Sequence, residues 1–503
     1  MVDGCRLVVW FRDVRRAALA ICLMVGFYVM ALAIGLGLLA IPYLAWADAG
    51  VRLPAKLILV CVGAGLTVLW AIVPRPDRFT APGPRLDEAS HPDLFRMIRD
   101  VASATEQELP ADVYLLNEVN AWVTHRGGIM GFGSHRVMGV GLPLLQALSQ
   151  LELKAIVAHE FGHYASGDVK IGPWIYKTRA AIGRTLEGVH GGFIAAPFKW
   201  YGAHFLRLTH DVSRQQEFIA DRIAAGIAGA AAMSSALRKV TALAPTFSSY
   251  LSNELGPVLR AGFLPPITTG FDDFLRAERI LALSQRTIEE AQSSSVTDEL
   301  DTHPCLRDRL EALKPLRDRR SYGANGDAPA SALLLDMEAQ ATALMRFVVG
   351  AETFGKLQPL AWDSVGDRVY APMWTDTVKH HAKWLGQFTA DTIPGDLPSL
   401  KRAGAALVQA GAEHPDVDIR VVAASQIMGI GLAALLLEHG WRVSTAPGKP
   451  LVLVRDADVI DPFTVVKECA ELAGAADQWK ARCAAIGIAG RQLAQPAEAG
   501  TRR

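Results

Sequence analysis

The chain has 503 residues, half of them apolar and a fifth charged, which is too long for a single compact core and points to about three domains. That composition excludes a disordered chain, a coiled coil and a disulfide-rich miniprotein. Lys plus Arg and Asp plus Glu balance at 51 each, so no net field steers the chain toward nucleic acid. The six cysteines, Cys5, Cys22, Cys61, Cys305, Cys469 and Cys483, form no C-x-x-C pair, which argues against a disulfide framework or a cysteine metal knuckle.

The first elements are membrane segments. Ala17 to Ala47 is a run of 31 residues without a charge, and Leu57 to Pro74 is a second of 18. A bilayer core needs about 20 apolar residues in a helix, and backbone groups in lipid must be satisfied internally. Both runs therefore read as helices of an N-terminal transmembrane hairpin within residues 1–80. A cleaved signal peptide has an apolar region of about 7–15 residues, far shorter than the first run. Arg6, Arg12, Arg15 and Arg16 precede the hairpin and Arg75, Arg78 and Arg85 follow it, while the connection holds only Arg52 and Lys56. The positive-inside rule then puts the N-terminus and everything after Pro74 in the cytoplasm.

Pro74 to Pro84 reads as a linker off the membrane. Helical periodicity follows over His91 to Thr105, strands over Asp112 to Leu116 and Val137 to Gly141, and helices over Pro143 to Ser149 and Leu151 to Ala165. Trp174 to His210 interleaves aromatic residues with Lys177, Arg179, Arg184, Lys199 and Arg207, and no clean span exists there. It reads as a lid over the cleft, a helical pair at the headgroup boundary, or a packed hairpin inside the soluble domain. Ser321 to Ala330 is the expected boundary of a mostly helical C-terminal domain, residues 330–503. There the apolar stretch Gln426 to Leu437 is too short to cross a bilayer. Trp441 to Ser444 and Leu451 to Val454 read as a hairpin. The adjacent His380 and His381 do not share a helix face and read as solvated. Gly429 and Gly431 form an incomplete glycine pattern and read as helix packing, so no nucleotide is expected.

The chemistry lies in Ala158-His159-Glu160-Phe161-Gly162-His163. Helical spacing puts His159 and His163 one turn apart on one face, where two imidazoles can meet one zinc ion, and Glu160 beside them can reach a water in the site. The alternative is a buried helix with two incidental histidines. Catalytic zinc takes three protein ligands, so a third should come from another helix. Ser213-Arg214-Gln215-Gln216-Glu217-Phe218-Ile219-Ala220-Asp221 supplies Glu217 as that ligand. Asp221, one turn on, can accept a hydrogen bond from the free ring nitrogen of a ligand histidine.

These segments together resemble the HtpX-like and CAAX-prenyl-protease-type membrane zinc peptidases, metallopeptidase family forty-eight. Asn120-Ala121-Trp122 is similar to the family's strand segment ahead of the active-site helix. Asp301-Thr302-His303-Pro304, with Arg309 following, is similar to its closing segment. The resemblance covers roughly residues 85 to 320. It implies a zincin-like catalytic domain with one Zn2+ held by His159, His163 and Glu217, with Asp221 and Arg214 supporting the ligands. Glu160 is the implied general base. His303 is the implied donor to an oxyanion and Arg309 its neighbour, structural helix-end roles being the alternative for both. Asn120, Ala121 and Trp122 would receive an extended polypeptide by strand addition, although Asn120 also suits a turn.

The expected fold is α+β and mainly α, with a small sheet whose edge strand lines the cleft. The expected function is a membrane-anchored zinc metalloendopeptidase acting on unfolded or membrane-protein segments, with no multi-span chamber for prenyl-peptide processing. The alternatives are a membrane scaffold with a structural zinc site and a zinc hydrolase of a non-peptide bond. The intact Glu160 argues against the scaffold.

Overall fold

A computed structural model describes residues 2–47, 53–73, 77, 79–128, 133–165, 172–189, 193–294, 304–316, 328–408 and 418–495. The elements begin with α1 (Val2–Ala47), α2 (Ala55–Ile72), β1 (Arg85–Leu86), α3 (Pro92–Ala104), β2 (Asp112–Leu116), β3 (Ala121–Arg126) and β4 (His135–Gly141). Next come α4 (Leu142–Ala147), α5 (Gln150–Ala165), α6 (Gly172–Val189), α7 (Ala196–Ala228), α8 (Ala230–Ser249), α9 (Gly256–Arg260), β5 (Phe263–Leu264) and α10 (Ile267–Arg276). Then follow α11 (Glu278–Ser293), α12 (Leu306–Leu313), α13 (Met337–Val349), α14 (Ala351–Phe354), β6 (Gln358–Pro359), α15 (Ala371–His380) and α16 (Ala382–Leu385). The chain closes with α17 (Leu397–Gly404), α18 (Ile419–Glu438), β7 (Arg442–Ser444), β8 (Val452–Arg455), β9 (Asp458–Ile460), α19 (Pro462–Glu471) and α20 (Ala475–Ile486). The fold is mainly helical with small sheets. It divides into two compact units, Met1–Ala244 with Ser284–Val348, and Pro245–Leu283 with Val349–Arg503. The division is thus interleaved along the chain.

In the first unit α1 and α2 pair along their length, and both are long and apolar enough to cross a membrane, over Ile21–Ala47 and Ala55–Ile72. This is a membrane protein. Helix–helix contact without a hydrophobic driving force favours small residues, and the hairpin has them: a Cβ on Gly65 would lie 2.9 Å from the Gly35 carbonyl oxygen. Helices α6 and α7 do not stand apart from this hairpin. Phe27, Ala31, Val68, Ile182, Phe198 and Phe205 form one buried cluster drawn from all four helices. Arg184 donates twice to the Ala71 carbonyl (3.2 and 3.0 Å), and the Tyr201 hydroxyl donates to that of Leu23 (2.6 Å). Among the described residues α6 and α7 pack on the apolar α1–α2 pair and not, as the third reading of Trp174 to His210 had it, inside a soluble domain.

The sheet has the order β1-β2-β4-β3. β2 runs parallel to β4, and β3 is antiparallel to β4. The central strand β4 is buried at every position after His135, whereas β3 alternates and then opens, as a central strand and an edge strand should. The sequence reading recovers β2 and most of β4 but not β1, because two residues carry no periodicity. Within the expected linker, Phe79 packs near Tyr114, Arg126 lies over the Phe79 ring, and Arg126 pairs with Asp77 at 2.9 Å. The Asp77 carboxylate also accepts from the Gly127 amide (3.0 Å). The linker end is therefore pinned to the end of β3.

The second unit is organised about α18, against which α15, α17 and α19 pack. Met428, Leu432 and Leu436 sit at the centre of a core that includes Trp374, Trp441 and Leu453. The sequence reading took this apolar stretch as too short to span. The helix has 20 residues and meets the length and composition of a span, but half of its apolar window is buried within the protein, against 22% for α1 and α2. A helix apolar all round is either a span or the middle of a large core, and here the core claims it. Gly429 and Gly431 serve that packing: a Cβ on the former would lie 2.5 Å from the Phe463 ring. β7 and β8 form the expected antiparallel hairpin, and β9 extends it to three strands.

Candidate metal centre and active site

The site is built on α5. Ser149 and Glu152 form a capping box: the Ser149 amide donates to Glu152 (2.7 Å) and the Glu152 amide to the Ser149 hydroxyl (3.3 Å), which satisfies two end groups of the helix. Glu152 also accepts from Ser235 (2.6 Å) and Lys239 (2.7 Å) of α8. Burial pushes its carboxyl up, but these partners outweigh burial and hold it below the usual carboxylate range. Leu153, Val157, Ala158 and Phe161 are buried, so the start and the apolar face of α5 are fixed on two sides.

Two turns on, α5 meets α7. Gly162 makes the approach possible, since a Cβ there would lie 3.1 Å from the Ala220 Cα. That close crossing brings Glu217 of α7 to the two histidines. His159 Nε2 lies 3.5 Å from Glu217 Oε2, and His163 Nε2 lies 3.5 Å from Glu217 Oε1. Edges of about 3.4 Å are what a tetrahedron with metal–ligand bonds near 2.1 Å requires. His159, His163 and Glu217 can accordingly hold one metal ion. His159 and Glu217 are buried, while His163 keeps 30% of its side chain exposed. The site is sealed on the protein side and open at His163.

Behind the ligands stands a charged relay. Asp221, 1% exposed, lies 2.9 Å from His159 Nδ1. Arg309 of α12 donates to the same carboxylate from Nε (2.9 Å) and Nη2 (2.6 Å), and its Nη1 lies 3.5 Å from Glu217. Burial alone would drive the His159 pKa down; Asp221 and then Glu217 more than offset it and push it up to about 9. Burial likewise raises the Asp221 carboxyl, but Arg309 and His159 hold it below its ordinary value. The pocket is built to stabilise positive charge at His159 Nε2, where a cation would sit.

Glu160 is half-buried on the neighbouring face of α5 and close enough to influence His159, Tyr164 and Arg309 electrostatically. Arg309, read as a neighbour of the oxyanion donor, has its guanidinium turned to Asp221 and Glu217. Arg214 sits on α7 one turn before Glu217 and is half-buried. His303, with Asp301 and Thr302, lies outside the described residues.

Asn120 is exposed just ahead of β3, Ala121 is buried, and the Trp122 ring covers Gly139, so close that a Cβ there would lie 2.6 Å from it. What β3 offers is therefore main chain. The Gly141 amide donates to the Asn120 carbonyl (2.8 Å), and this sets the phase of the ladder. Trp122 and Thr124 bond toward β4, while the main-chain groups of Ala121, Val123 and His125 face the open edge. Tyr164, the residue after His163, donates its hydroxyl to the Val123 carbonyl (2.8 Å). The Arg136 guanidinium lies 4.8 Å from the Tyr164 ring centre.

Sequence reasoning missed Gly162, Glu152 and Tyr164 as parts of the site. The Ser149-x-x-Glu152 capping pattern was a readable signal for one of them. The close approach at Gly162 and the tie at Tyr164 depend on chain crossings that spacing does not encode.

Residues 88–317 match the model of Peptidase family M48. Among curated relatives, the protease HtpX homolog of Paraburkholderia phytofirmans is 29% identical over 174 residues, covering 31% of this chain and 58% of the relative. The protease HtpX homologs of Burkholderia mallei and Burkholderia multivorans give the same figures. The chain thus spans a little over half the length of the curated relatives it matches. No solved structure matches it. The family match encloses α5, α7 and α12, the three helices that build the centre, and over that region the chain is similar to the HtpX-type peptidases of family M48.

Proposed function

We propose that this chain is a zinc-dependent endopeptidase held at the membrane, hydrolysing peptide bonds in polypeptides presented near the bilayer. One observation carries the reading: two imidazoles and the Glu217 carboxylate converge at 3.5 Å spacing on a side open at His163. Zinc at that position would supply a Lewis acid that acidifies water and polarises a carbonyl. Asp221 orients His159 through Nδ1, leaving Nε2 for the metal. Glu160 takes a proton from the attacking water and returns it to the leaving amine. His303 is the donor assigned to the developing oxyanion. An extended substrate pairs with the open edge of β3 by main-chain hydrogen bonds. The charge bias at the ends of α1 and α2 supports a cytoplasmic side for this chemistry.

Zinc titration of the detergent-purified protein tests the centre. About one zinc per chain is expected, lost in Glu217→Ala, since the site has three protein ligands. Binding must expel the proton that Asp221 and Glu217 hold on His159, so apparent affinity should weaken by up to about tenfold per pH unit below 9 and level off above it. Zinc that binds Glu217→Ala as tightly as the wild type would sink the assignment.

Tyr164 bears on the substrate register. Its hydroxyl occupies the Val123 carbonyl, one of the acceptors that the open edge presents. Tyr164→Phe frees that acceptor for substrate. For peptides long enough to reach it, KM should fall about threefold with kcat little changed, the worth of one ordinary hydrogen bond. Unchanged KM across a peptide-length series would show that substrate does not pair at Val123.

A further inference from the structure

Arg136, on the central strand β4, is a buried cation without a counter-charge. It is 7% exposed. Its Nη1 donates to the main-chain carbonyl of Glu108 (2.6 Å) and its Nη2 to the side-chain carbonyl of Gln107 (3.3 Å), while the buried Nε has no partner. Among the described residues no carboxylate lies within ion-pair distance of it, whereas Arg126, at the same end of the sheet, is paired with Asp77. Buried charges are normally paired, because an uncompensated ion is costly to take out of water. Two neutral acceptors leave the positive charge of Arg136 standing, and in a low local dielectric it is felt over several ångströms.

That charge lies beside the open edge of β3. Arg136 and His125 are register partners across β4 and β3, so their side chains project from one face of the sheet. It is the face of Ala121 and Val123, the one that α5 covers. Tyr164 of α5 joins the two: its ring centre lies 5.7 Å from that of His125 and 4.8 Å from the Arg136 guanidinium carbon. The Tyr164 hydroxyl occupies the Val123 carbonyl, and His125 is the next residue along β3 whose main chain faces the open edge. A residue paired with His125 extends its side chain onto this same face, two strand spacings or about 10 Å from the Arg136 backbone. A long acidic side chain and the arginine stem close that gap from both ends. Burial pushes the His125 pKa down, and Arg136 adds to this against the opposing effect of Glu108. The neutral imidazole keeps one N–H to donate to an arriving carboxylate. Glu108 itself is exposed, so solvent screens its charge and leaves Arg136 largely uncompensated.

We propose that His125, Tyr164 and Arg136 form a side-chain subsite for a carboxylate on the α5 face of the β3 edge, and that the preferred substrate is an extended polypeptide with glutamate at the residue paired with His125. This rests on the pairing of substrate with β3 proposed above. His125 donates to the carboxylate, Tyr164 walls the subsite, and Arg136 supplies the field from behind. Aspartate is one methylene shorter and approaches Arg136 less closely; lysine or arginine at that position meets a like charge.

Fluorescence anisotropy of the full-length Glu160→Gln protein, supplied with zinc in detergent, tests this without turnover. The probes are labelled, N-acetylated and C-amidated peptides of one extended host sequence, with Glu, Asp or Gln placed at one residue at a time. At one position Glu should bind about tenfold tighter than Gln, the worth of one charge-assisted hydrogen bond, with Asp between them. Adding Arg136→Met should bring that ratio to within about twofold, and Arg136→Lys should keep about threefold, since it retains charge without the planar fork. Glu108→Gln, an exposed change, should raise the ratio about twofold. Should Arg136→Met fail to fold, His125→Ala at its half-buried position carries the same test. Equal binding of Glu and Gln peptides at every position would overturn the subsite, as would a preference unchanged by Arg136→Met or His125→Ala. Hydrolysis of the host peptides by the wild type, with no preference for Glu in binding, would sink the subsite and leave the peptidase reading intact. Glu-selective binding with no hydrolysis by the wild type would do the reverse.

Discussion

Replacing Glu160 with Gln should lower hydrolysis of an unfolded casein substrate by about a thousandfold, within the range for loss of a positioned general base. Gln has the shape of Glu but cannot take a proton from water. Glu160 is not among the three residues that converge on the metal position, so zinc content should stay at about one per chain. The combination of lost rate and retained metal separates proton transfer from metal binding. Equal cleavage by wild type and variant would sink the peptidase reading. Cleavage of small esters alone, with no peptide products by mass spectrometry, would move the chemistry to another bond.

The second large effect belongs to Arg309. Its fork on Asp221 is almost wholly buried, with 12% and 1% of the two side chains exposed. Breaking a buried pair from one side leaves the other charge uncompensated, at a cost of about 3–5 kcal/mol. Arg309→Leu should therefore unfold at markedly lower denaturant. It should also bind zinc about 10–100-fold more weakly, because Asp221 loses the partner that holds it ionised against His159. Asp221→Asn combined with Arg309→Leu should cost less than the sum of the two single changes, as expected for residues that act as a unit. Additive losses would mean that the relay described here is not coupled. A purely catalytic Arg309 would instead change rate with little effect on denaturant midpoint.

The parts of the fold that were legible are those written in local pattern. Two uncharged runs gave α1 and α2, short apolar runs gave β2 and most of β4, and His159, Glu160 and His163 announced themselves by one-turn spacing. Glu217 and Asp221 were readable once two histidines demanded a third ligand. Long-range packing was not legible. Helices α6 and α7 look ambiguous because their buried face is completed by residues such as Phe27 and Val68, more than 100 positions away. The true length of α18 was hidden by Arg420 and Ser425, which interrupt apolarity without interrupting the helix. The contacts of Arg309 with Asp221 and Glu217 were not legible either, because sequence order cannot say which side of a ligand a guanidinium approaches.

The pin between Asp77 and Arg126 has a consequence for reach. Five Cα-to-Cα steps separate Ile72, the end of α2, from Asp77, and five extended steps cover at most about 18 Å. The far end of β3, the strand proposed to receive substrate, is thereby tethered within that distance of the end of α2. A chain emerging from the bilayer needs only about five residues of slack to arrive there. On the function proposed above, polypeptide drawn out of the membrane would be met at its first exposed stretch, whereas a folded protein in bulk solution would first have to bring a loose strand down to the headgroups.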